Sequence, residues 1–257
     1  MQLFHRVYGS GKPVVILHGL FGSSDNWMTQ ARMLGEHYSV YTIDLRNHGL
    51  SPHNDRHDYE AMAEDVRAFI KTQNLVPAAV IGHSMGGKVA MKLAIDHPEL
   101  VSKLVVVDIV PKVYPPHHNR IVEGLLSLHP ENLTTRQEAD EKLSAFVTQP
   151  DVRQFLLKNL SRKPEGGFSW KINLKVIADN MEDVLGDPVH GPAFMGPVLF
   201  LMGSRSDYFK PGDEVRISNH FPDNRIDFLD TGHWLQAEQP KAFVKKVSEF
   251  LLKENNK

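Results

Sequence analysis

The chain has 257 residues, of which 41% are apolar and 23% are charged, a composition that is ordinary for one globular α/β domain. Its net charge of −2 argues against nucleic acid or an anionic membrane surface as partner, and the absence of cysteine excludes disulfides, thiolate metal sites and a cysteine nucleophile. No secretory signal pattern opens the chain and no apolar run reaches the ~20 residues of a membrane span, so we expect a cytoplasmic protein.

Strand-like segments alternate with helix-like ones on both sides of a central interruption. The first alternates apolar and polar residues, and most of the others are largely apolar. Short apolar strands separated by helices are typical of an α/β fold with a mostly parallel sheet flanked by helices. The predicted strands are 1–8, 13–17, 39–43, 78–81, 103–107, 197–202 and 225–229, and the predicted helices are 27–37, 59–74, 87–95 and 241–253.

The interruption runs from residue 111 to residue 196 and has prolines at both ends. Its apolar residues recur at helical spacing and no strand stands out, which predicts an inserted cap of four helices over the strand ends. The predicted core of the fold then consists of 1–110 and 197–257. A separate helical domain beside the sheet is the alternative, because proline-rich joints are also typical of linkers.

The segment Gly82-His83-Ser84-Met85-Gly86 spells G-x-S-x-G between a predicted strand and a predicted helix. A serine on such a sharp turn is held at the sheet edge with its hydroxyl exposed, and the helix behind it directs free N–H groups toward the site. This context favours a nucleophile over a merely glycine-rich turn. We therefore predict that Ser84 is a catalytic nucleophile.

A serine hydroxyl needs a base, and the base needs a carboxylate to orient it. His233 follows the last predicted strand, where a loop at the carboxyl end of a strand can reach Ser84. Asp108 ends the strand 103–107, and Asp207 lies in the loop after the strand 197–202. Either aspartate fits the chain order serine, acid, histidine, so both remain candidates for the acid.

The oxyanion of the reaction needs N–H donors. The segment His18-Gly19-Leu20-Phe21-Gly22 follows a core strand directly, and its small residues let the backbone turn N–H groups into the site. We assign the backbone N–H groups of Leu20 and Met85 to this role. His18 is expected to brace the loop, with a second base as the alternative.

The chain also contains fourteen histidines. The closest pairs, His53 with His57 and His117 with His118, lack an acidic third ligand at a helical spacing such as H-E-x-x-H. We expect no metal, and the proposed chemistry requires no cofactor.

These motifs, in this order, resemble the α/β-hydrolase fold superfamily. The matching residues are His18-Gly19, Asp44 to Ser51, Gly82 to Gly87 and Gly232-His233, and the interruption lies where that family has its cap. Several longer segments resemble the YbfF-type bacterial esterases, namely His18 to Ser23, Asp44 to Gly49, Val107-Asp108-Ile109, Gln154 to Lys158 and Gly232-His233-Trp234.

The resemblance to YbfF-type esterases implies activity on carboxylic esters and acyl thioesters, with the acid at Asp108. The more usual superfamily pattern implies an acid at the position that Ser206 occupies here, one residue before Asp207. This departure favours Asp108. A serine nucleophile also argues against the members of the fold that use aspartate there, the haloalkane dehalogenases and epoxide hydrolases.

The expected function is that of a serine carboxylesterase that hydrolyses short- to medium-chain, small-molecule esters. We expect the protein to be a monomer or a homodimer. A thioesterase or a C–C bond hydrolase is the alternative on the same triad, and Lys158 or Arg162 facing the pocket would favour an anionic substrate. A ligand-binding receptor of the same fold is the alternative from another class. Phe155, Trp170 and Phe194 are expected to line the acyl pocket or else to form the core of the cap.

Overall fold

A computed structural model describes residues 1–116 and 118–253 of the protein. His117, weighed above as a metal ligand, and residues 254–257 of the predicted core lie outside this description. The described strands are β1 His5–Tyr8, β2 Lys12–Leu17, β3 Tyr38–Ile43, β4 Ala78–His83, β5 Val101–Val107, β6 Leu160–Arg162, β7 Phe168–Trp170, β8 Val198–Gly203 and β9 Asn224–Leu229.

Four described α-helices of the core lie where the apolar periodicity predicts them, and two more, Asp213–His220 and Leu235–Glu238, were not predicted. The described α-helices are α1 Met28–Leu34, α2 Tyr59–Thr72, α3 Met85–Asp96, α4 Asn119–Ser127, α5 Arg136–Leu143, α6 Pro150–Leu157, α7 Leu174–Asp179, α8 Met181–Leu185, α9 Asp213–His220, α10 Leu235–Glu238 and α11 Pro240–Leu252. None of these helices is long and apolar enough to cross a membrane.

The central sheet has the strand order β1-β3-β2-β4-β5-β8-β9 among the described residues. Every neighbouring pair is parallel except β1 with β3. The predicted α/β class with a mostly parallel sheet is therefore confirmed. The first strand begins only at His5, later than expected, because the N–H of Phe4 donates to Ser51 Oγ at 2.8 Å.

The strands β2, β4, β5 and β8 are apolar over most of their length because helices cover both faces of the sheet. In β5, Leu104 and Val106 pack with residues of α2 and α3 on one face, whereas Val105 and Val107 pack with residues of α1 and α11 on the other. Alternate side chains of a strand point to opposite faces, so two-sided burial requires an uninterrupted apolar run. The carboxyl ends of β4, β5, β8 and β9 consequently meet at one edge of a rigid sheet.

The segment between β5 and β8 differs from the expected four helices without a strand. Within the described residues it holds five short α-helices, α4 to α8, and an antiparallel hairpin of β6 with β7. The hairpin turns at Gly166 and Gly167, whose φ angles of 103° and 70° suit glycine, and its three-residue strands are too short to show an alternating pattern. The sequence boundaries 111 and 196 of the cap stay a prediction, and the name cap is kept for that segment.

The cap has its own apolar cluster, separate from the two clusters of the sheet. Its buried members come from every helix of the cap except α8 and from both strands of the hairpin. One buried member, Phe21, belongs to the loop after β2 rather than to the cap. The cap and the edge of the sheet are therefore joined by apolar packing at that loop.

Candidate active site

Ser84 lies on the tight turn between β4 and α3. Its φ of 52° and ψ of −119° place it in a backbone conformation that non-glycine residues rarely adopt. The turn is crowded by its own backbone: a Cβ on Gly82 would lie 2.2 Å from the carbonyl oxygen of Gly86, and a Cβ on Gly86 would lie 2.5 Å from that of Leu17. Both flanking glycines of the motif are thus required by close approach, and the turn holds Ser84 at the sheet edge.

His233 and Asp108 form a hydrogen-bonded pair beside this edge. The ring Nδ1–H of His233 donates to Asp108 Oδ2 at 2.7 Å, and Asp108 is fully buried. The carboxylate also accepts the backbone N–H of Gly203 at 2.8 Å and the hydroxyl of Ser206. With Nδ1 protonated and held, the lone pair of His233 Nε2 is available as a base.

Among the described residues, Asp207, the other candidate acid, has no hydrogen bond to His233. Its carboxylate pairs with Lys210 Nζ at 2.6 Å, and its side chain is 95% exposed. The hydrogen bond from Lys210 lowers the pKa of Asp207. The structure therefore brings Asp108 to the histidine, and Ser206, at the place where the wider superfamily usually has its acid, donates to that carboxylate instead.

Two residues that the sequence analysis did not assign also hold His233. His83 Nε2–H donates to the carbonyl oxygen of His233 at 2.9 Å, and the Tyr208 ring stacks on the His233 ring with centroids 4.2 Å apart. Burial holds the pKa of His83 well below its usual range, so its ring is neutral. The position of His83 inside the G-x-S-x-G motif is a signal that could have found it, whereas nothing in the sequence marks Tyr208.

Ser84 and His233 line the same cavity. Among the described residues, Ser84 Oγ has no hydrogen-bond partner, so the bond to His233 Nε2 is not formed in this state. Such bonds are often long without substrate and tighten in the complex. The cavity therefore presents a hydroxyl and an oriented base to the same bound molecule.

The loop after β2 supplies the other wall of this space. A Cβ on Gly19 would lie 2.9 Å from His83 Nδ1 and 3.3 Å from Ser84 Cβ, so only glycine permits this approach. Within residues 1–116 and 118–253, the N–H groups of Leu20 and Met85 have no hydrogen-bond acceptor. Both are free to donate to an oxygen bound at Ser84, and Met85 begins α3, where the helix dipole favours negative charge.

His18 braces this loop and is not a second base. Its Nδ1–H donates to the carbonyl oxygen of Gly19 at 2.8 Å, and its Nε2 accepts the N–H of Leu45 at 3.0 Å. Both ring nitrogens are therefore engaged by the backbone. Burial lowers the pKa of His18 to about 4, which keeps the ring neutral.

The apolar wall of the cavity comes largely from the cap. Ile121 of α4 and Val152, Phe155 and Leu156 of α6 line it, together with Trp234, which follows His233. Phe155 is thus at the cavity as expected. Its neighbours on α6 share its helical spacing, and this is the signal that could have found them.

Trp170 and Phe194, expected either to line the acyl pocket or to form the core of the cap, are not among the residues that line this cavity. Phe194 is buried against the α2–α3 face of the sheet, in the segment that leads into β8, and its ring covers Gly196. Trp170 packs on the cap cluster through the hairpin, where it pairs with Leu160. Among the described residues, no group of three or more His, Asp or Glu side chains could hold a metal ion.

Several known proteins are similar to this chain. The family model described as alpha/beta hydrolase fold matches residues 12–240. The mouse protein named sn-1-specific diacylglycerol lipase ABHD11 is 38% identical over 247 residues, covering 93% of this chain and 80% of its own, and Esterase YbfF of Escherichia coli is 34% identical over 94% of both chains. The solved structure titled marine microorganism esterase is 44% identical, with a TM-score of 0.94 over 97% of this chain and 99% of its own.

Proposed function

Because the chain belongs to the α/β-hydrolase fold family, we propose that it is a serine carboxylesterase that hydrolyses short- to medium-chain carboxylic esters. It is a hydrolase of ester bonds, as the names of its relatives indicate. The observation that carries the proposal is the bond of 2.7 Å from His233 to Asp108, at a cavity that Ser84 also lines. This arrangement has the parts of a Ser-His-Asp triad.

In the proposed reaction, His233 Nε2 takes the proton of Ser84 as Oγ attacks the ester carbonyl. The carbonyl oxygen becomes an oxyanion, which the N–H groups of Leu20 and Met85 bind. His233 then gives its proton to the leaving alcohol, and the acyl group stays on Ser84. Water, deprotonated by the same histidine, attacks the acyl-enzyme. The bond to Ser84 Oγ then breaks, His233 returns its proton to Oγ, and the carboxylic acid leaves.

The electrostatics of the site favour each charged state of this cycle. The buried carboxylate of Asp108 stabilises the imidazolium of His233 when it holds the extra proton. The hydrogen bonds from Gly203 and Ser206 stabilise that carboxylate in turn. Each backbone donor at the oxyanion contributes about 10²- to 10³-fold to kcat.

The cavity favours neutral esters over anionic ones. The wall that α4 and α6 contribute is apolar, and neither Lys158 nor Arg162 lines it. Lys88 lines a second pocket at Ser84, but its ammonium donates to the backbone carbonyl oxygens of Leu185 and Gly186. A CoA thioester carries phosphates, for which cationic side chains are the usual partners. We therefore propose that the cap closes over the acyl chain of an uncharged ester. The name of the mouse relative, a diacylglycerol lipase, agrees with the proposal that the cavity holds an acyl chain.

The direct test compares the wild type with Ser84→Ala and, as a control, with Ser218→Ala on α9. p-Nitrophenyl acetate and butyrate are the substrates, and intact-mass measurement after a fluorophosphonate reports covalent labelling. Loss of the nucleophile is expected to lower kcat by about 10⁴-fold or more and to abolish labelling, with the circular dichroism spectrum unchanged. Ser218→Ala is expected to match the wild type.

Two outcomes would contradict the proposal. A Ser84→Ala variant that keeps turnover would show that another group is the nucleophile. A wild type that is labelled once on Ser84 but never turns over would instead favour the ligand-binding receptor considered above.

A further inference from the structure

The loop of residues 19–22, termed the oxyanion loop, has its peptide groups fixed on both sides of Leu20. The carbonyl oxygen of Gly19 accepts the N–H of Gly22 at 2.9 Å and the Nδ1–H of His18 at 2.8 Å. A peptide group is planar and trans, so its C=O and N–H point in opposite directions. Two donors on the Gly19 oxygen therefore aim the Leu20 N–H away from His18.

The next peptide is held from the core. The N–H of Phe21 donates to His48 Nε2 at 3.3 Å, and His48 Nδ1–H donates to the carbonyl oxygen of Arg46 at 2.9 Å. Burial lowers the pKa of His48 to about 3, so Nε2 keeps the lone pair that this bond requires. Phe21 has a φ of 59°, in the left-handed region, and a phenylalanine stays there only when its surroundings hold it.

The third peptide is held from the cap. Asn159, which follows α6, donates from Nδ2 to the carbonyl oxygen of Phe21 at 2.8 Å, and the same amide donates to the carbonyl oxygen of Leu156 at 3.0 Å. The Asn159 residue is only 4% exposed. Because this buried amide donates both of its N–H groups to backbone oxygens, it fixes the distance between the end of α6 and the oxyanion loop.

We infer that Asn159 is a positioning residue that keeps the Leu20 N–H aimed at the oxyanion, so that the cap completes a hole otherwise built by the core. The inference rests on the proposed ester hydrolysis. Without the Asn159 bond, the Phe21 carbonyl loses its buried partner and the left-handed turn at Phe21 loses a restraint. The peptide can then rotate, and the Leu20 N–H turns from the position that the oxyanion occupies.

A second asparagine of the cap provides a matched control. Asn173, just before α7, also bonds the cap to the core, through its N–H to the carbonyl oxygen of Asn47 at 2.9 Å and through Nδ2 to Asn47 Oδ1 at 3.3 Å. Neither bond touches the oxyanion loop. Replacing Asn173 removes the side-chain bond and keeps the backbone one. An effect of losing any side-chain bond between cap and core would therefore appear in variants of both asparagines, whereas loss of oxyanion positioning would appear at Asn159 alone.

The test compares the wild type with Asn159→Leu, which keeps the approximate side-chain volume without the amide, and with Asn173→Leu. The full chain is assayed for kcat and KM on p-nitrophenyl butyrate and for inhibition by an alkyl trifluoromethyl ketone, which forms a hemiketal oxyanion on Ser84. A misdirected donor retains part of its effect, so kcat for Asn159→Leu is expected to fall about 10- to 100-fold, with KM changed by less than about 3-fold. The inhibition constant is expected to rise by the same factor as kcat/KM falls, while Asn173→Leu stays within about 2-fold of the wild type in both.

Other results would overturn the inference. An Asn159→Leu enzyme that loses thermal stability but keeps kcat, or a loss of kcat that Asn173→Leu reproduces, would make Asn159 a structural residue only. If Asn159→Leu does not fold, Asn159→Ser removes the long amide with less disturbance, and the same split between kcat and KM is required of it. A wild type that neither hydrolyses esters nor binds the ketone would contradict the proposed function itself. An active wild type with an equally active Asn159 variant would contradict only the role of Asn159.

Discussion

The sheet core and the cap contribute different things to the same cavity. Ser84 and Asp108 sit at the ends of β4 and β5, and ladder-like bonds fix their backbones: Ser84 N–H to the Val107 oxygen and Asp108 N–H to the Leu201 oxygen, each at 3.0 Å. The cap contributes apolar wall residues on α4 and α6, helices of nine and eight residues, in a segment held by a smaller apolar cluster. The reacting groups lie where the backbone is most constrained, and the substrate-facing surface lies where the structure is free to vary.

The largest expected effect tests the core side of this comparison, at the acid. Asp108→Asn keeps the shape of the side chain but removes the charge and allows the wrong tautomer of His233, so kcat for p-nitrophenyl acetate is expected to fall about 10⁴-fold. Asp207→Asn removes an exposed carboxylate paired only with Lys210 and is expected to change kcat by less than about 3-fold. Steady-state kinetics on both variants decide the matter, and a collapse confined to Asp207→Asn would mean that the acid is not Asp108.

The second effect compares how firmly the two regions are packed. Leu104 in β5 and Leu125 in α4 are both fully buried, and the same change to alanine is made at each. The loss of stability depends on how far neighbouring side chains relax into the space that the leucine leaves, and we expect less relaxation in the sheet than in the cap. The free energy of unfolding is therefore expected to fall by about 4–5 kcal/mol for Leu104→Ala and by about 2–3 kcal/mol for Leu125→Ala. Urea unfolding measures both values. Equal losses would mean that the cap is as rigid as the sheet.

The same difference in constraint explains what the sequence revealed about the fold. The core strands were readable because burial on both faces demands apolar runs such as Val14 to Leu17, and because β4 and α3 bracket the G-x-S-x-G motif. The hairpin of the cap was not readable, since strands of three residues carry no measurable alternation. Local pattern therefore determined the core but only part of the cap.

For the site, residues tied to a strand end were predictable and residues defined by distant contacts were not. Ser84, His233 and the two candidate acids follow from their positions after strands. The choice between Asp108 and Asp207 depends on the loop after β8, which carries Ser206 to the Asp108 carboxylate. Phe194 was misplaced because an apolar residue before a strand looks the same whether it faces a cavity or the sheet. Asn159 gave no signal, since its partner Phe21 is 138 positions away.

The third effect concerns the boundary between the two regions, where buried histidines lie beneath the oxyanion loop. Burial lowers the pKa of His57 to about 3, against about 6.5 in the unfolded chain. The unfolded chain then binds more protons than the folded protein between these two values. The contribution of His57 to stability is therefore complete above pH 6.5 and is lost as the pH falls toward 3.

His57→Gln removes that proton uptake, so its stability is expected to depend less on pH than that of the wild type. When the pH is lowered from 7 to 5, the free energy of unfolding is expected to fall by about 2 kcal/mol more in the wild type than in the variant. Urea unfolding at both pH values gives the difference directly. An identical pH dependence in the two proteins would show that His57 is not held neutral.

The smallest effect sharpens the cap side of the comparison, at the cavity wall. Phe155 lines the cavity and its ring lies 5.6 Å from that of Trp234, whereas Trp170 packs on the cap cluster without lining the cavity. Phe155→Ala removes apolar contact with the acyl chain worth about 1 kcal/mol, so KM for p-nitrophenyl butyrate is expected to rise about 5-fold, with little change in kcat. Trp170→Ala is expected to lower stability and leave KM unchanged. This expectation assumes that the cavity wall binds the substrate and the transition state equally well. A fall in kcat without a rise in KM would mean that Phe155 stabilises the transition state specifically, so that the cap as well as the core takes part in the chemistry.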